Sequence, residues 1–424
     1  FTEAEQLLQA AITAQQRSLE LAPAMEQSHR YLSTHWVNLA RVYAAMQKPD
    51  EAIDAAQQAV TQANRLVALP TSGVSGLRQL VSAHASHAHK LYEAGHKAKA
   101  LDEIQQILEA LARLQQQTPS DAEVTEDIND WYRTLAENWP ESAEQTRERQ
   151  AAYWRKQTES HANQLEPALC FAATCKDRAE LACEKQQWST ALDWFRQAIR
   201  ELEIHRKNNP NHAELAGLLG SCLKMTGDIH YEQQNRSEAV ACWESAVSLF
   251  RQVLTTSPNK LLIHHQLGGT LHNLSHADYA TGQYESALAR LTEAIEHQRR
   301  YVASNPSSHR WLNNHLYLQA STLHQLGRWN EAVAATRERA KLNPSDAEHL
   351  VACAQGIAAC LQAVASDPAK QRDAEAWAAE AVGWLRNAIT HGIDAKTLAK
   401  DEALAPLSHR DDFRALITTK PQKK

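Results

Sequence analysis

Apolar residues along this 424-residue chain return every three or four positions, the spacing that gathers them on one face of an α-helix. The clearest stretch sets Leu267, Leu271 and Leu274 in one ladder, breaks at Thr281-Gly-Gln-Tyr284, and resumes with Leu288, Leu291, Ala294 and Ile295 before Pro306. That pattern predicts a helix A, a tight turn, a helix B and a proline-bearing linker. The unit recurs. An Ala is followed nineteen residues later by a Pro at Ala4/Pro23, Ala100/Pro119, Ala191/Pro210, Ala239/Pro258 and Ala287/Pro306. Ala191, Ala239 and Ala287 lie 48 residues apart in succession, and Ala4, Ala52 and Ala100 repeat the step. Gly and Pro number only 13 each, and no run of Val, Ile and Thr has strand length. The expected fold class is therefore all-α, built as a tandem array rather than around one central core.

Sterics explain which positions repeat. Gly282 and Gly327 suit the left-handed conformation that ends helix A, and Tyr284, Trp188 and Trp329 are placed to seal the turn. The alanines at 52, 100, 143, 191, 239, 287 and 332 fall where helix B crosses helix A. A larger side chain there would overpack the crossing at about 1–3 kcal/mol. Proline stops helix B and suits the first turn of the next helix. Residues 1–345 are thus read as a repeat array of about eight units, 346–417 as a C-terminal helical pair and cap, and 418–424 as a tail. Phe1 falls at the aromatic position before Ala4, so the first unit is expected to be half present and the chain a fragment of a longer protein. The unit around Ala143 is the least regular, with Asn138-Trp-Pro-Glu-Ser-Ala at its turn and no closing Pro.

The turns Gly327-Arg-Trp-Asn-Glu-Ala-Val, Gln187-Trp-Ser-Thr-Ala-Leu-Asp-Trp-Phe and Asn235-Arg-Ser-Glu-Ala-Val resemble the tetratricopeptide repeat. That resemblance implies a right-handed α-solenoid of long helix pairs with a C-terminal helical cap, binding a protein or peptide partner in a concave groove lined by the A helices. The family repeat is about 34 residues long. A 48-residue step adds two heptads, which lengthens each helix by roughly 10 Å while keeping its apolar face in register. A narrower resemblance rests on the linkers Arg206-Lys-Asn-Asn-Pro and Tyr301-Val-Ala-Ser-Asn-Pro, and on the ending Ala381-Val-Gly-Trp-Leu-Arg-Asn-Ala-Ile, Leu404-Ala-Pro-Leu and Asp412-Phe-Arg-Ala-Leu. These resemble the repeat region that follows the kinase domain in eukaryotic-like serine/threonine kinases of planctomycete-type bacteria. The chain itself has no glycine-rich phosphate loop, Val-Ala-Ile-Lys, His-Arg-Asp or Asp-Phe-Gly, so it reads as non-catalytic, with any kinase domain upstream.

The net charge of −6, with acids and bases interspersed, leaves no basic stripe for a phosphate backbone, and no nucleic-acid partner is expected. Seven Cys in helical segments, without disulfide-scaffold spacing, point to reduced thiols and a cytoplasmic setting. A membrane span preceding the chain, as in some of the kinases it resembles, would place it outside the cytoplasm instead. No apolar run reads as long enough to cross a bilayer within the chain.

His84, His87 and His89 cluster, and His272 with His276 forms an i, i+4 pair that could hold a metal. No third ligand has fixed spacing to that pair, and no cofactor is expected; polar packing is the favoured reading. Positions matching the family's inward-facing set are Asn38, Arg41, Lys176, Lys224, Asn273, His276 and Asn314. Asn there would pair with an extended peptide's backbone, and Lys or Arg would hold a carboxylate. Trp36, Trp131 and Trp311 are left as groove anchors or core, with core favoured. The expected function is a non-catalytic interaction scaffold, with a peptide-sensing regulatory domain and a metal-binding or catalytic helical protein as alternatives.

Overall fold

A computed structural model describes residues 1–118 and 121–418. Pro119, one of the repeat-closing prolines, and residues 419–424 of the expected tail lie outside the described residues. The described residues contain no strand. The chain divides into two compact units, Phe1–Leu181 and Ala182–Lys424. The first holds α1 (Thr2–Leu21), α2 (Glu26–Ala45), α3 (Pro49–Val67), α4 (Gly73–Glu93), α5 (Lys97–Gln117), α6 (Ala122–Asn138) and α7 (Ala143–Ser160), and its boundary falls within α8 (Leu165–Glu184). The second holds α9 (Trp188–Arg206), α10 (Ala213–Glu232), α11 (Arg236–Thr256), α12 (Leu261–Ala280), α13 (Tyr284–Ser304), α14 (His309–Gln325), α15 (Trp329–Leu342), α16 (Ala347–Val364) and α17 (Gln371–Thr390). It closes with α18 (Ala395–Leu398), a 3₁₀ turn at Glu402–Leu407, and α19 (Asp411–Thr418).

Most A-to-B turns share one geometry. Gly95, Gly282 and Gly327 have φ of 83°, 75° and 69°, and each ends its helix with the paired bonds of a left-handed cap. At Gly282 these run from Gly282 N to Tyr279 O (3.1 Å) and from Gln283 N to Asp278 O (2.9 Å). Gln47, Gln186 and Gln234 adopt the same conformation at φ 59°, 57° and 68°, at turns for which the sequence names no left-handed residue. The cap bonds are kept, as in Asn235 N to His230 O at 2.8 Å, while each Gln bears the strain that its Cβ adds in this region. The irregular turn at Ala143 differs because Pro140 lacks the N–H and opens a 3₁₀ turn, Pro140–Ser142, after the buried Trp139.

A second device recurs across the turns. The aromatic ring near the end of helix A meets the side chain five residues later. Lys48 lies over Tyr43 (5.5 Å), Lys97 over Tyr92 (5.2 Å) and Arg236 over Tyr231 (5.7 Å). Tyr279 packs edge-on against Tyr284 (5.3 Å), as does His324 against Trp329 (4.9 Å). Cation–π and edge-to-face contacts thus serve interchangeably at one position.

Most helices pack on their neighbours in sequence, as α2 does on α3, α10 on α11 and α12 on α13, and A helices also touch the next A helix, α2 on α4 and α12 on α14. Ala52, Ala100, Ala191, Ala239, Ala287 and Ala332 are all buried at the crossings. At Gly268 an added Cβ would lie 3.1 Å from Ala294 O, which shows how closely α12 approaches α13. Neighbouring B helices are joined by arginine–glutamate pairs: Arg251 to Glu293 (2.6 Å), Arg299 to Glu338 (2.6 Å) and Arg337 to Glu380 (2.6 Å). In the linkers, His29 Nε2 donates to Pro23 O (2.9 Å) and His264 Nε2 to Pro258 O (2.8 Å), so histidine ties two proline turns to the following helix.

One expectation changes. Ala347–Val364 is, among the described residues, a single helix long and apolar enough by composition to cross a membrane, with mean hydropathy 1.2 over 18 residues. Its apolar content is largely Ala and Cys interrupted by His349, Gln355 and Gln362, which is why it did not read as an apolar run. In the fold, Ala354, Ile357, Ala358, Leu361 and Val364 pack with Trp377, Ala381 and Leu385 of α17 and with Leu404, Leu407 and Phe413 of the cap.

Candidate functional site

The positions singled out in the sequence lie on A helices, and several are already engaged. In the first unit Asn38 is half-buried and Arg41 exposed on α2. Lys176 on α8 meets Glu180 at 2.9 Å. In the second unit Asp228 gathers three donors: Lys224 Nζ (2.6 Å), Asn273 Nδ2 (2.8 Å) and the indole Nε1 of buried Trp243 (2.9 Å). Lys224 and Asn273 are thereby joined in one network spanning α10, α11 and α12. His276 Nδ1 bonds to Tyr231 OH at 3.0 Å. Asn314 stands exposed on α14.

The histidines form packing contacts. His84 Nδ1 and His87 Nδ1 approach Glu103 at 2.5 Å and 3.2 Å. Burial alone would raise the Glu103 carboxyl, but the hydrogen bonds and charge of the two imidazoles outweigh it and bring it down to about 2. His272 stacks on His315 with ring centroids 4.7 Å apart and 24° between planes, while its i, i+4 neighbour His276 turns to Tyr231. Among the described residues no three His, Cys, Asp or Glu side chains converge as a metal set. Burial raises the thiols of Cys242, Cys353 and Cys360, the last to about 11, as expected of packed thiols.

A concavity lies around α14, α15 and α16. It encloses about 600 Å³, within the roughly 300–1,000 Å³ usual for binding clefts. The buried side of α14 is Leu312, Leu316, Thr322 and Leu323, which turns Trp311, Asn314, Tyr317 and Ser321 to the opposite face at helical spacing. Trp311 and Tyr317 are 38% and 57% exposed. Trp311 therefore departs from the core reading: Arg310 stacks on it at 4.7 Å and His265 meets it edge-on at 5.8 Å. Trp36, by contrast, is half-buried against the α1–α2 core. Small residues of α16, Ala352, Gly356 and Ala359, keep the cleft open, and Ala332, Thr336 and Arg339 of α15 contribute to its lining.

Arg339 is the residue that sequence reasoning missed. It is 6% exposed, donates through Nε to Asn313 Oδ1 (3.0 Å), and places its guanidinium 4.9 Å from the Tyr317 ring centre. Its own carbonyl accepts from His349 Nε2 at 2.7 Å. Burial lowers its pKa, and the groups that favour its charge are Cys353 and Tyr317 rather than a carboxylate. Among the described residues no Asp or Glu lines the cleft. Neither its helix position nor its neighbours in sequence signal this, because Arg337, two residues earlier, is met by Glu380.

Residues 36–65, the second half of α2 with most of α3, match the tetratricopeptide repeat family. One helix pair of the chain thus matches a tetratricopeptide repeat. No curated protein sequence matches it. Among solved structures, BtubC from P. vanneervenii is 18% identical over 61% of this chain and 92% of its own, with a TM-score of 0.36. The apo form of RapI is 13% identical over 91% and 96%, with a TM-score of 0.40. A signal transduction ATPase with numerous domains and a tetratricopeptide repeat sensor, from Pyrococcus horikoshii, is 15% identical over 92% and 54%, with a TM-score of 0.41. The repeat assignment rests on the family match and on the recurring turn and crossing geometry of this chain.

Proposed function

We propose that this repeat protein is a non-catalytic interaction scaffold whose second unit receives an extended peptide across the α14–α16 cleft. The observation that carries the reading is the exposed row Trp311, Asn314 and Tyr317 beside a cleft of about 600 Å³. Large aromatic faces beside polar amides are the chemistry of peptide anchoring. Asn314 would belong to the contact surface. Within the second unit, Lys224 would contribute only by exchanging an internal carboxylate for one from the partner, and Asn273 by leaving Asp228, with His276 beside them on α12; Asn38, Arg41 and Lys176 belong to the first unit and are proposed as contacts there.

The terminal segments Ala381–Ile389, Leu404–Leu407 and Asp412–Leu416 support the finer reading that the scaffold is the repeat arm of a bacterial signalling kinase, located in the cytoplasm unless a membrane span precedes it. The groove is tested by photo-crosslinking in cells of the source organism. With p-benzoylphenylalanine in place of Tyr317, a discrete protein adduct is expected. The same probe in place of Arg196, exposed on α9, should give none. Equal adducts at both positions, or none at 317, would remove the groove assignment.

A further inference from the structure

The seam between the B helices α5 and α7 lacks an ion pair that closes two other seams. Arg251 and Arg299 stand twelve residues after the crossing alanines Ala239 and Ala287. Each meets a glutamate six residues after the next crossing alanine, Glu293 after Ala287 and Glu338 after Ala332. Counted from Ala100 and Ala143, the same two positions of the α5–α7 seam hold Ala112 and Arg149. A methyl group replaces the arginine and an arginine replaces the glutamate, so the seam loses its filling and its charge is reversed. Both residues line a cleft of about 550 Å³, together with Leu108, Tyr132, Tyr153 and Lys156, a size usual for small-molecule clefts. Arg149 is half-buried and Lys156 exposed. Among the described residues neither has an ion pair, and no Asp or Glu lines the cleft. Tyr132 of α6 is 2% exposed. Its hydroxyl accepts from Gln115 Nε2 at 3.4 Å, and its own O–H has no acceptor among the described residues. Burial, the largest influence, keeps its pKa above the ordinary phenol value against the pulls of Gln115 and Arg149, so the proton stays available to donate.

We propose that the α5–α7 cleft binds a small organic anion, a carboxylate or phosphate monoester on a flat apolar body, with Arg149 as its principal charge partner. The site shares no residue with the α14–α16 cleft, goes beyond the groove reading and stands or falls separately from it. The planar guanidinium of Arg149 takes two oxygens of the anion side by side, which an ammonium cannot. Lys156, two helical turns further along the same face of α7, adds a second positive charge. Tyr132 supplies a neutral donor. Leu108, Ala112 and the Tyr153 ring give the cleft apolar walls, which call for an apolar body behind the anion. A small molecule fits better than a chain segment, because the Tyr132 donor belongs to a residue too buried for a polypeptide laid across the seam to reach.

Isothermal titration of the full chain with naphthylacetate, naphthyl phosphate and the neutral naphthylacetamide, all substituted at the same ring carbon, separates the charge from the ring. At least one anion is expected to bind about tenfold or more tightly than the amide, as a charge-assisted pair in a partly desolvated cleft allows. The tighter of the two anions assigns the oxyanion. Arg149→Gln should abolish the preference and Arg149→Lys should retain part of it. Ala112→Arg combined with Arg149→Glu rebuilds the pair of the other two seams and should remove binding of both anions. The thermal midpoint should be unchanged in Arg149→Gln and unchanged or raised in the double variant. Equal affinity for anions and amide, or binding by none of the three, would overturn the proposal. A preference that survives in both Arg149→Gln and the double variant, or a midpoint several degrees lower in both, would make Arg149 a structural residue and overturn it as well.

Discussion

Acidification from pH 7 to pH 5 should destabilise the second unit by about 2 kcal/mol through His272 alone. His272 on α12 lies against His315 of α14, rings 4.7 Å apart. Burial first, and then the charge of His276, hold its pKa down at about 4 against an ordinary 6.5. Above pH 6.5 both folded and unfolded chains leave it neutral. As the pH falls through 6.5 the unfolded chain takes up a proton that the folded chain refuses until about 4, so stability falls across that window. The full difference is about 3 kcal/mol, at roughly 1.4 kcal/mol per pH unit. About two thirds of it is felt by pH 5. His315 is pushed well below its ordinary value by burial, with the charges of His272 and His265 adding to the effect, and so deepens the loss. His272→Phe keeps an aromatic ring on His315 but cannot titrate. Urea unfolding followed by circular dichroism at pH 7 and pH 5 should show wild type losing about 2 kcal/mol more than this variant. Equal losses in the two proteins would mean that His272 is solvated or already protonated in the fold, and the reasoning from burial would fail.

Gln234→Gly should stabilise by about 0.5–1 kcal/mol, because a left-handed residue with a Cβ costs more than the added flexibility of glycine in the unfolded chain. Gln47 and Gln186 should behave alike, and a lower urea midpoint in all three variants would contradict the turn geometry. Lys224→Glu sets a second carboxylate against Asp228 and disturbs the acceptor of the buried Trp243 indole. A loss on the order of 1–3 kcal/mol is expected from the disturbed hydrogen bonds. An unchanged melting midpoint with weakened peptide binding would instead place Lys224 in the groove.

The helical period, the turn glycines and the alanine spacing were legible in the chain because they depend on neighbours within one helix pair. So was the device of an aromatic followed five residues later by Lys, Arg, Tyr or Trp, although only the turn made its purpose visible. Lys224 could have been matched to Asp228 from its i, i+4 spacing, and Lys176 to Glu180 in the same way. Trp311 could not be placed, because an A helix carries both core and groove positions and a single tryptophan does not declare its face.

Local covalent and helical geometry thus determined, from sequence alone, that this protein is a tandem array of paired helices and where each pair turns. Tertiary structure decided which charges are answered. Arg337 and Arg339 stand two residues apart on one helix, yet Arg337 meets Glu380 forty-three positions away while Arg339 lines a cleft that has no acid among the described residues. The reason is physical: residues two apart on a helix point to different sides, and the partners they meet there come from helices that the local pattern does not align.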